Sequence, residues 1–185
     1  MIRTRAAIGP LAGGLVVLAI ALSPPAEQMA GSSLALHMAQ HALLVVAAAP
    51  LLALGLPRLA DPLARVGRLV PAIALFALLV LLHLPAVVEA LEAAPLLHAF
   101  AHGALLAAAF GVWLFVLPGP HALSPLPRMV LLVALTLAPM GAATVLAVEL
   151  PTFDGALAGT VMAAVGAIFA AVGIAGWIVQ AEAAA

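Results

Sequence analysis

Six nearly unbroken apolar stretches follow one another along the chain, at approximately 6–22, 34–56, 69–88, 95–117, 128–148 and 157–179. Clusters of proline, glycine and charge separate them, which is where a chain turns. At ~1.5 Å per residue each stretch approaches the ~30 Å hydrocarbon core of a bilayer, the first only marginally. Without water the backbone must pair with itself, and stretches this long pair as helices rather than barrel strands. The pattern therefore predicts an all-α, polytopic transmembrane helical bundle of six helices, forming a single domain over residues 1–185.

Composition agrees: 67% of the residues are hydrophobic and 7% charged, too apolar for a soluble core of this size to bury. The arginines set an orientation. Arg3 and Arg5 precede the first segment, Arg58, Arg65 and Arg68 lie between the second and third, and Arg128 enters the fifth. All fall on one side, so the positive-inside rule predicts that both termini are cytoplasmic. The opposite loops hold Glu27, Glu89, Glu92, Glu149 and Asp154, read as a solvated rim that concentrates cations at most. The first segment resembles a signal peptide in outline. It runs into Ser23-Pro24-Pro25 without a small-x-small cleavage site, so it reads as a retained helix.

Several classes drop out. No basic patch interleaves with aromatics, which argues against a nucleic-acid partner. There is no cysteine, hence no disulfide, thiolate ligand or thiol nucleophile. In the sixth segment Gly159, Ala163, Gly166, Ala170 and Gly173 form a stripe suited to close packing inside the bundle, with a homodimer as the other use.

Against so apolar a background the histidines need a reason. His37 and His41 lie in the first turns of the second segment, and His98 and His102 in the first turns of the fourth. If Ser33 caps one helix and Pro95 opens the other, His37 and His98 are each the fourth helical residue. His83 lies toward the same surface at the end of the third segment. Five of the six histidines thus share one depth, and only His121 falls on the other side. An i, i+4 pair places two imidazoles on one helical face, and two such pairs can supply four nitrogens to an ion, with His83 as a fifth. Met38 is a neighbouring thioether, and Met29, Met140 and Met162 are more distant ones. Nitrogen with thioether and no thiolate suits copper, as Cu(I) or Cu(II); zinc is the lesser option, with a carboxylate such as Glu89. Pro85 and Pro139 interrupt their helices near this level, depriving the carbonyls of Leu81 and Leu135 of their usual donors.

Other uses fit less well. Bis-histidine haem needs one ligand from each of two helices, and i, i+4 spacing separates successive ligands by only ~6 Å along the axis. Transport needs polar groups through the inner half of the membrane, and almost none are there; Thr136 and Thr144 are the main intramembrane polar groups. Catalysis needs a nearby acid or base, for which Glu89 is the one obvious candidate, so a non-enzymatic role is expected.

The run HMAQHALLVVAAAPLLALGLP at 37–57 resembles the signature of the CtaG-type cytochrome c oxidase assembly factors. HLPAVVEALEAAPLLHAFAHGALLAAAFGVW at 83–113 is similar to that family's His-Pro segment and following H-x-x-x-H helix, and LTLAPMGAATVLAVELP at 135–151 to a weaker third block. The resemblance implies a multi-pass protein of the bacterial cytoplasmic (inner) membrane that assists copper delivery to a haem-copper oxidase. His37, His41, His83, His98 and His102 match the family's histidine positions. An oxidase subunit or a copper chaperone is the implied partner, with a more general copper-handling role as the alternative.

Overall fold

A computed structural model describes residues 8–150 and 152–183, which are helical apart from short connections, with no strand among them. The helices are α1 (Ile8–Ala21), α2 (Pro24–Ser32), α3 (Leu34–Gly55), α4 (Ala60–Val66), α5 (Val70–Leu81), α6 (Pro85–Glu92), α7 (Pro95–Val116), α8 (Pro125–Leu135), α9 (Leu137–Glu149) and α10 (Phe153–Ala183). Arg3 and Arg5, on which part of the orientation argument rests, lie outside the described residues.

Four stretches are long and apolar enough to cross a membrane: Leu34–Gly55, Pro95–Val116, Pro125–Leu146 and Phe153–Gln180. Two further spans arise only if bent pairs are joined, α1 with α2 across 51° and Pro57–Val66 with α5 across 90°. Large apolar side chains point outward all round the bundle, among them Ile73 at 67% exposure, Phe100 at 73% and Leu137 at 67%. Such a surface requires lipid, and the chain is a multi-pass membrane protein.

The differences from the expected segments have local causes. The third stretch does not run on to residue 88. A residue before proline is pushed out of the α region, and Leu84 is extended (φ −75°, ψ 129°) ahead of Pro85. Helix α5 therefore stops at Leu81, and α6 starts afresh at Pro85. The fifth stretch breaks at Thr136, three residues before Pro139, where the Thr136 N–H and hydroxyl both donate to Val133 O. Two stretches expected to be loops are helical: α2, with Ser23 as its cap, and the 3₁₀ turn Pro57–Leu59 that leads into α4.

Helices α3 and α7 form the centre. α3 packs against α1, α7 and α10, and α7 packs against α3 and α5. In its middle α3 widens to a π-turn over Leu43–Ala48, with Ala49 N–H bonding back to Leu44 O. In that register the donor for Val45 O is residue 50, a proline without an N–H. The indole N–H of Trp113 on α7 donates to this carbonyl instead, at 2.8 Å. The proline in one central helix is thus answered by the tryptophan of the other.

The glycine stripe of α10 is used within the chain. A Cβ at Gly159 would meet Ala143 O at 3.0 Å, one at Gly166 would meet Met140 Cγ at 3.2 Å, and one at Gly173 would meet Leu132 Cβ at 3.1 Å. These glycines seat α10 against α8 and α9, so the stripe provides packing within the bundle.

Candidate metal centre

The caps that set the histidine register are those the residue pattern suggests. Ser33 Oγ accepts from Leu36 N–H at 3.3 Å and Leu34 is the first residue of α3. Pro95 is the first residue of α7. His37 N–H bonds Ser33 O and His98 N–H bonds Ala94 O, both at 3.0 Å, so each histidine closes the first turn of its helix. Helices α3 and α7 pack together with their N-terminal ends at one level, and the two histidine pairs face each other.

Five imidazoles form one cluster. Ring centroids are 4.5 Å apart for His37–His41 and His98–His102, 5.1 Å for His37–His98, 5.9 Å for His37–His102 and 5.0 Å for His41–His102. His83 joins through His41, at 5.7 Å. Within the cluster His37, His98 and His102 converge most tightly, with one ring nitrogen from each all within 4.8 Å of one another. An ion bound at ~2.0–2.1 Å needs its nitrogen ligands roughly 3.4 Å apart, so small side-chain rotations would complete a three-nitrogen site.

Burial makes the cluster chemically unusual. His41, His83 and His102 are 3–4% exposed. His41 Nδ1, His83 Nε2, His98 Nε2 and His102 Nε2 are buried without a hydrogen-bond partner. Buried polar atoms are normally paired, and one left orphaned costs about 1–3 kcal/mol. Four such nitrogens, from α3, α7 and the turn after α5, are groups that a bound cation would satisfy.

The break before Pro85 sets the tautomer of His83. Past Leu81 the backbone tightens, so His83 N–H donates to Val80 O at 3.3 Å and leaves Leu79 O free. The imidazole occupies that carbonyl, with Nδ1–H donating to Leu79 O at 2.6 Å. The proton is then on Nδ1 and the Nε2 lone pair is directed away from the helix's own backbone.

Three polar residues outside the histidines, Gln40, Glu27 and Asp154, shape the site. Gln40 spends both amide hydrogens, on Ala21 O at 2.9 Å and Glu27 Oε1 at 2.7 Å, and so ties α2 to α3. The same Glu27 oxygen lies 3.8 Å from His102 Nδ1 and places a carboxylate beside the cluster. From the start of α10, Asp154 accepts from Ser33 Oγ–H and Leu34 N–H at 2.7 Å and from Ala35 N–H at 3.3 Å. It thereby holds the end of α3 that carries His37. Glu27 and Asp154 belong to the set of acidic rim residues, but contacts across the fold, invisible in spacing, give them these jobs.

Met38 is enclosed in the hydrophobic core, about 100° round α3 from His37. Met140 packs on Gly166, Met162 is buried on α10 and Met29 is exposed on α2. Glu89 lines a cavity that also reaches His83. His121 pairs with Asp61 at 2.7 Å, at the end of the bundle remote from the cluster. Arg128 donates to Val116 O at 3.0 Å, at the C-terminal end of α7, and Arg58 follows the end of α3. These two arginines and the five clustered histidines therefore occupy opposite ends of the bundle.

A family model described as cytochrome c oxidase caa3 assembly factor matches residues 10–182. No curated protein and no solved structure matches the chain significantly.

Proposed function

The chain belongs to the caa3-type cytochrome c oxidase assembly factor family, and from that premise we propose that it binds copper in its histidine cluster and hands it to the oxidase during assembly. One observation carries this reading: ring nitrogens of His37, His98 and His102 lie within 4.8 Å of one another, among imidazoles of which four hold a buried nitrogen without a partner. His37, His98 and His102 would hold the ion, with His41 and His83 beside them. The donor set is nitrogen-rich and free of thiolate, which suits copper, and the Glu27 carboxylate adds negative charge nearby. Copper here is cargo, and the role is non-enzymatic.

The same reading sets the cluster at the outer face of a bacterial cytoplasmic membrane. Arg58, Arg65, Arg68 and Arg128 belong to the opposite end, which the positive-inside rule puts in the cytoplasm. If each bent pair counts as one span, there are six crossings and both termini are cytoplasmic. Haem fits less well. His37 and His102, 5.9 Å apart, are each flanked at 4.5 Å by a further imidazole, His41 or His98, in the space a macrocycle would need.

The client can be tested in cells. When the sole copy carries His37→Ala and His98→Ala, the purified oxidase should lose at least half of its copper relative to its haem. Full copper loading of that oxidase would remove oxidase maturation from the account.

A further inference from the structure

The cluster is a line as much as a nest. At one end stands the convergent group His37, His98 and His102; His41 follows; His83 comes next, 5.7 Å beyond His41. Past His83 lies a cavity of about 280 Å³ between α6 and α9, bounded by Val88, Val145 and Leu146, with Glu89 and Glu149 on its rim. Both carboxylates are exposed, whereas His83 is 4% exposed with its Nε2 unpartnered. On another flank α2 covers the cluster, fixed by Gln40 to Ala21 O and Glu27.

Resting on the copper reading above, the geometry points to this cavity as the port through which Cu(I) enters and leaves, with His83 as the transfer ligand at its floor. Among the described residues, His83, Glu89 and Glu149 do not form a convergent group as His37, His98 and His102 do, so the cavity is a passage and not a second resting site. Its acidic rim draws a cation in, and its apolar walls offer nothing to retain one. His83 suits a relay because its proton is committed to Leu79 O, which leaves the Nε2 lone pair free. The step is ligand exchange: a nitrogen–copper bond forms at His83 as one breaks at His41, and no proton or electron moves.

The test uses the full-length protein in detergent, anaerobically, with Cu(I) loading and its removal by bathocuproine disulfonate followed by stopped flow. Val145→Trp fills the port without removing a ligand, and Val145→Ala leaves it open. Glu89→Gln with Glu149→Gln discharges the rim. The Trp variant should bind as much Cu(I) as wild type but exchange it at least tenfold more slowly, with the Ala variant at the wild-type rate. The rim variant should load more slowly and lose the salt dependence that steering gives wild type. Wild-type rates in the Trp and rim variants, at full stoichiometry, overturn the port alone. A wild-type protein that retains no Cu(I) overturns the copper reading and the port together.

Discussion

Alanine at His37, His98 and His102 together should lower copper affinity by well over ~100-fold, while alanine at His83 should change it only a few-fold. Loss of an outer-shell partner alone costs ~10–100-fold in metal affinity, and on the proposed reading this triple variant removes three direct ligands. The contrast follows from position. The three ring nitrogens lie within 4.8 Å of one another, whereas His83 reaches the group only through His41. Competition against a Cu(I) chelator of known affinity, on purified protein, reads both numbers. Near wild-type affinity in the triple variant would place the metal elsewhere, and a collapse at His83 would make it a principal ligand. The triple variant also removes two orphaned nitrogens, His98 Nε2 and His102 Nε2. Without metal its thermal stability should therefore match or exceed wild type, which separates loss of binding from loss of fold.

Asp154→Ala should destabilise the protein by about 2 kcal/mol, the upper end of what a helix cap contributes. For a chain of this length that lowers the unfolding midpoint by roughly 4–8 °C. The carboxylate accepts from the Ser33 hydroxyl and from the Leu34 and Ala35 N–H groups, and nothing in α3 replaces it for Leu34 or Ala35. Because His37 completes the turn so anchored, copper affinity should fall about tenfold as well, the range of an outer-shell loss. Asp154→Asn keeps one carbonyl acceptor and should lie between wild type and alanine in both respects. Circular dichroism melts in detergent and the same chelator competition check this. Unchanged melting in the alanine variant would show that the α10–α3 contact is incidental.

How far the residue pattern alone reaches can be seen at particular positions. Ser33 and Pro95 are local start signals, and they alone set His37 and His98 in matching first turns. The i, i+4 spacing then put His41 and His102 on the facing sides. What local spacing could not show is where the short pieces lie. Ser23-Pro24-Pro25 is a cap followed by proline at the first helical positions, a helix start, yet between two long spans it reads as a break. Helix α2 therefore does not stand out in the residue pattern, and neither do the bonds from Gln40 to Ala21 and Glu27. Asp154 acts on residues about 120 positions away, a pairing without any periodic trace. Pro85 was legible as a perturbation. Its consequence, an imidazole taking over the Leu79 carbonyl, depended on how the chain turns between α5 and α6.

On the proposed reading, one copper site is built from histidines of two helices. X-ray absorption at the copper edge, on copper-loaded wild type and on the His37→Ala/His98→Ala variant, tests it most directly. The account predicts imidazole-rich nitrogen coordination in wild type, with its multiple-scattering pattern lost or sharply reduced in the variant. A variant spectrum identical to wild type, or a first shell dominated by sulfur, would contradict it.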